Sequence, residues 1–121
     1  MIWLVDDAVV VLRQEFEAGE GGFLLGLRPE LVWDRGAFTR LERAMRAVCE
    51  RVQGDDTLER WMAEGFYYIP RFVRDWTTHP NFPRPQPQQY HDDCLRRLDD
   101  LADWFFHGWH MYQQPHIWPD L

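Results

Sequence analysis

By type, the residues able to do chemistry in this chain are five His, two Cys and 20 Asp or Glu. His91 and Cys94 stand three apart, and Asp103, His107 and His110 follow at spacings of four and three, so each set lies along one face of a helix. On one helix His91 and His107 would be about 24 Å apart, at ~1.5 Å per residue, and cannot share an ion. A metal site would need His91 and Cys94 with Cys49, or Asp103, His107 and His110 with a further ligand. Neither set follows a ligand pattern: there is no Glu-x-x-His, His-Glu-x-x-His or Cys-x-x-Cys. We expect no cofactor and no metal, a core thiol, and histidines at the surface or at helix ends. Asp103, His107 and His110 are the weak metal candidates.

Other catalytic classes fare no better. Cys94 lies on the apolar stripe of the last helix and Cys49 beside that of the second, where burial raises a thiol pKa and leaves it inert. Asp55-Asp56, Asp92-Asp93 and Asp99-Asp100 are sequence neighbours, so within a helix the two members of a pair point apart. Asp6-Asp7 and Asp55-Asp56 read as helix caps, and Asp92-Asp93 as acids in a first turn. The chain contains neither Ser nor Lys, and all 13 basic residues are Arg. That excludes a Ser nucleophile, a Schiff-base Lys and a Walker-type Lys. The stretch GEGGFLLG, residues 19 to 26, lacks a phosphate-loop spacing. With no catalytic constellation, we expect a non-enzyme.

Aromatics make up 16% of the chain and include seven Trp, which implies a large core or a contact surface. Net charge is −7. That opposes binding to nucleic acid through phosphates, or to anionic membranes, and favours steering toward a basic protein partner. The opening MIWLVDD has no basic region ahead of its short apolar run, so neither a signal peptide nor a membrane span is expected. Two Cys at unmatched spacing fit reduced thiols in a cytoplasm.

The elements that must position these residues are helical. Leu58, Met62, Gly65, Ile69, Phe72 and Trp76 recur at spacings of four and three and predict a central helix over residues 57 to 78. Asp55 or Asp56 is its expected cap. Pro70 inside it predicts a kink, or two abutting helices. Asp34 caps a helix over 35 to 52, with Phe38, Leu41, Met45, Val48 and Val52 inward and the Glu42–Arg46 and Arg46–Glu50 pairs outward. A first helix covers 6 to 18, its end acidic against the helix dipole. Residues 23 to 33 read as an irregular cover over the core, with a short helix from Pro29 to Trp33 or a buried strand as the alternatives. Pro80, Pro83, Pro85 and Pro87 make residues 79 to 87 a stiff crossover. The last helix covers 88 to 106, with Tyr90, Cys94, Leu98, Leu101 and Phe105 inward and Asp92–Arg96, Asp93–Arg97 and Arg96–Asp100 outward. The predicted fold is a single all-α domain: an antiparallel bundle of about four helices, a Pro-kinked central helix, and an irregular aromatic tail over 107 to 121.

On such a bundle Trp104 falls with Asp93, Arg97, Asp100 and His107, away from the inner stripe. Tyr67 falls among Arg60, Glu64, Arg71 and Arg74. A large aromatic among charges has the composition of an interface anchor with a polar rim. The alternative for Trp104 is cover by the tail, whose Trp109, Tyr112 and Trp118 need somewhere to pack. The expected partner-binding residues are Trp104, Tyr67, Arg71, Arg97, Asp100, Trp109 and Trp118. The expected function is a small acidic protein-binding module, by analogy with small acidic bacterial proteins an inhibitor or immunity-type partner. The alternative is a homo-oligomeric bundle, a homodimer in the simplest case, binding a metal ion or small ligand between its helices.

Overall fold

In the computed structural model of the chain, which describes residues 5–113 and 115–121 and only the backbone of residues 5 and 6, every regular element is helical. These elements are α1 (Val5–Phe16), α2 (Phe23–Leu27), α3 (Arg35–Val52), α4 (Arg60–Thr77) and α5 (Gln88–His107). Among the described residues there is no strand.

Local chemistry explains where they start and stop. Asp34 caps α3 as expected, its carboxylate accepting the Ala37 N–H at 3.0 Å. Gly108, at φ 83°, ends α5 in the left-handed conformation that glycine adopts without penalty. Asp6 and Asp7 lie within α1 rather than capping it. Glu59, not Asp55 or Asp56, holds the N-cap position of α4, and without a side-chain cap bond. The segment after the Gly cluster forms α2, which precedes Pro29 instead of starting there. Its first N–H, on Phe23, is satisfied by Glu15 of α1 at 3.0 Å. The acid that looked unfavourable at the end of α1 therefore caps the next helix, and burial there raises its pKa. The α4 helix runs unbroken through Pro70, so two abutting helices are not formed.

Side-chain pairs give the helix directions. Phe66 meets Phe105 and Thr77 meets His91, so α4 and α5 are antiparallel. Arg40 of α3 reaches the Gly21 carbonyl just past α1, while Val9 and Val52 border one hollow, so α1 and α3 are antiparallel too. Consecutive long helices thus alternate in direction. Glu42 with Arg97 and Cys49 with Leu101 make α3 and α5 parallel neighbours, and Arg13 with Trp61 and Phe16 with Phe66 do the same for α1 and α4. The order around the bundle is α1, α3, α5, α4. Consecutive helices α3 and α4 are diagonal and share no close backbone approach among the described residues. With neighbouring axes ~8–10 Å apart, the diagonal is about 12–14 Å, within reach of the linker at 53–59. That linker is tied to the end of α5 by Gly54 N–H to Gly108 O at 3.2 Å.

The buried seam of α4 is Met62, Phe66, Ile69, Val73 and Thr77. Phe72 and Trp76, expected inward, are half-exposed. A second stripe at the same spacings, Trp61, Gly65, Tyr68, Phe72 and Trp76, runs one position earlier along the helix. Both stripes are apolar, so spacing alone does not say which one faces the core.

Candidate protein-docking surface

Most of the residues expected to form an interface are brought together by the tail, and the tail consumes them. Trp104 is 2% exposed, so it is not a free anchor. Trp118 stacks on it at 5.4 Å and 8°, His110 meets it edge-on at 4.9 Å, and its indole N–H donates to Gln53 at 3.1 Å. Arg97, expected outward beside Asp93, is buried. It donates to Glu42 at 2.6 Å and to the Pro119 carbonyl at 2.8 Å. Glu42 is buried as well, rather than on the outside, and accepts from Arg46 at 3.1 Å through its other oxygen. Asp100 accepts the Tyr112 hydroxyl at 2.7 Å, which raises the Tyr112 pKa. Asp92 and Asp93 accept from the Gln88 and Gln89 amides. Trp109 stays apart and exposed. Two of these contacts, Trp104 with Gln53 and Arg97 with Glu42, join residues more than 50 positions apart, which helix periodicity does not reveal.

The metal candidates do not converge. His107 donates from Nδ1 to the backbone carbonyl of Asp103 at 2.9 Å, while His110 packs against Trp104 and Trp118. Among the described residues no group of three or more His, Cys, Asp or Glu is placed to hold an ion.

The buried titratable groups are closed off. Cys49 donates to the Leu101 carbonyl, and burial pushes its thiol well above the ordinary range; burial takes Cys94 to about 12. Neither presents a thiolate at neutral pH. Thr77 donates its hydroxyl to Val73 O, so at 2.8 Å His91 Nε2–H must be the donor to Thr77. Gln88 then donates to His91 Nδ1. This arrangement requires a neutral ring, and desolvation lowers the His91 pKa accordingly.

On α4, Tyr67, Tyr68 and Arg71 face outward, with Trp61, Phe72 and Trp76 half-buried beside them. Tyr67 is 58% exposed, and the Arg71 guanidinium lies 4.2 Å from its ring centre. Tyr68, 52% exposed, stacks on Phe72 at 5.4 Å, and Phe72 stacks on Trp76 at 5.9 Å. The i,i+4 spacing on a helix allows this row. One hollow lies at each end. The first, about 520 Å³, is bordered by Phe16, Trp61, Glu64 and Tyr68. It lies where the Phe16 ring covers Gly65, so closely that a Cβ there would sit 2.0 Å from a ring carbon. The second, about 240 Å³ and lined by Leu31, Trp76, His79, Asn81 and Phe82, is almost wholly apolar. Trp76 is fixed by donating its N–H to Leu27 O at 2.7 Å. Arg13 over Trp61 and Arg28 over Trp76 supply a polar rim. Tyr67 and Arg71 lie on the outer face, as their spacing places them. Tyr68, Phe72 and Trp76 were missed, because two of them were assigned to the core.

Against known proteins, the chain matches no family model, no curated protein and no solved structure.

Proposed function

We propose that the protein is a docking module that binds another protein through the outer face of α4. The observation that carries this is the stacked row of exposed Tyr68 and half-buried Phe72 and Trp76, beside exposed Tyr67 on a packed helix and flanked by two hollows. Exposed aromatics in a ring of arginines and acids are the side chains that dominate binding energy at interfaces. A helix locked by its buried seam presents them with little ordering cost on binding. A net charge of −7 suits a partner with a basic surface, and an inhibitor or immunity-type role in a cytoplasm is the form we favour. No helix among the described residues is long and apolar enough to cross a membrane.

The test is affinity purification from the native host with neighbouring genes recorded, followed by binding of the purified partner. Tyr68→Ala with Tyr67→Ala should weaken that binding by ~100-fold or more, the scale of an interface hot spot, and Trp109→Ala should leave it within about threefold. Equal affinity of the Tyr67/Tyr68 double variant and the wild type would remove α4 as the docking face.

A further inference from the structure

The groove between the parallel helices α3 and α5 is crossed by the chain's own residues 118–121. The contacts are those by which a protein reads a peptide. Two arginines on different helices take consecutive backbone carbonyls, Arg46 that of Trp118 at 3.3 Å and Arg97 that of Pro119 at 2.8 Å. The indole of Trp118 lies flat on Trp104, with the Arg97 guanidinium 5.2 Å from its centre. One residue beyond the proline, the Asp120 carboxylate sits between Arg43 at 3.4 Å and Arg46 at 3.6 Å. Thr39 donates to the Leu121 carbonyl. Backbone carbonyls, an aromatic seat and an acid clamp thus succeed one another along the groove.

The fit leaves room. A hollow of about 270 Å³ remains between the segment and α5, bordered by Asp93, Arg96, Asp100, Tyr112 and His116. The segment is joined to α5 through Gly108, and among the described residues of the stretch between them there is no helix.

We infer that the α3–α5 groove is a peptide-binding site, occupied in cis by residues 118–121 and able to take in trans a segment carrying an indole, a proline and an acid in succession. The proposal is independent of α4. When the tail is released, a segment of the same chemistry competes for the groove against a tail held at an effective concentration of ~mM.

The test uses the full chain bearing Trp118→Ala and a labelled synthetic peptide spanning residues 115–121, with fluorescence polarisation as the readout. Saturable binding to Trp118→Ala, at least ~10-fold tighter than to the wild type with its competing tail, is expected. A peptide with Ala in place of the Trp should not bind. Adding Arg46→Ala, which removes both a carbonyl donor and half of the acid clamp, should weaken the peptide by about 10-fold. Absence of saturable binding by a chain that keeps its helical circular dichroism overturns the proposal, as does equal binding of the Trp-less peptide. Should Trp118→Ala lose its helical signal, Asp120→Arg takes its place. It keeps the indole and sets a third guanidinium against Arg43 and Arg46, and the same outcomes then decide.

Discussion

The outer face of α4 and the C-terminal tail have similar composition, aromatics interleaved with arginines and acids, and put it to opposite uses. In the tail Trp118 lies on Trp104, Tyr112 is bonded to Asp100, and the arginines beneath hold backbone carbonyls and a buried carboxylate. On α4 the rings stack on each other along one helix, from exposed Tyr68 to half-buried Phe72 and Trp76. The difference lies in where the partners are. Tyr68, whose ring partner Phe72 sits on the same helix, is 52% exposed, whereas Trp76, also held by Leu27 O, is half-buried. An aromatic whose partners come from elsewhere in the chain is bound to the fold.

That contrast predicts a ranked set of stabilities, read by urea unfolding. The largest loss belongs to the pair under the tail. Arg97→Ala leaves the Glu42 carboxylate buried with Arg46 alone and should cost ~3–5 kcal/mol. A loss below ~1 kcal/mol, the level of an exposed pair, would show that the tail groove is not the rigid region we describe. Next is Trp118→Ala, at ~2 kcal/mol, below the range for a fully buried Trp because its ring is half-exposed. Gly65→Ala must displace the Phe16 ring and should cost ~1–3 kcal/mol by overpacking, offset by up to ~1 kcal/mol of helix propensity. It is also the sharpest probe of how α1 borders the α4 face.

A smaller effect is confined to pH. The folded-state pKa of His91 lies below its ordinary 6.5, so between the two values the unfolded chain binds more protons. Its contribution is intact above about pH 6.5 and is lost as pH falls below it. Asp92, Arg84 and Arg74 are the charges acting on it. Glu15 runs the other way: its raised pKa makes acidification favour the fold from that value down to 4.5. His91→Gln, which retains a donor for Thr77, should flatten the loss below pH 6.5 and leave stability at pH 8 nearly unchanged. The smallest change belongs to the α4 face itself, where Tyr68→Ala should shift stability by no more than ~0.5 kcal/mol.

Much of this architecture was legible because it is local. The Asp34 cap, the α3 span, the Gly108 stop and the inward set Cys94, Leu98, Leu101 and Phe105 follow from spacing and capping chemistry alone. The errors have a common cause. On α4 two adjacent apolar stripes share the same period, and only packing against α1, α2 and α5 chooses between them. Glu42 and Arg97 look like outward halves of i,i+4 pairs until α3 and α5 are known to be parallel neighbours with the tail across them. The docking row was hidden by the first error, and the tail groove by the second.

The most direct test is hydroxyl-radical footprinting of the chain, free and bound to its purified partner. The free protein should label readily at Tyr67 and Tyr68 and weakly at Trp104. Partner binding should protect Tyr67, Tyr68 and Phe72 while leaving Trp109 and Met111 labelled as before. Protection confined to the tail, with Tyr67 and Tyr68 still labelled, would contradict the assignment of α4 as the surface this protein presents.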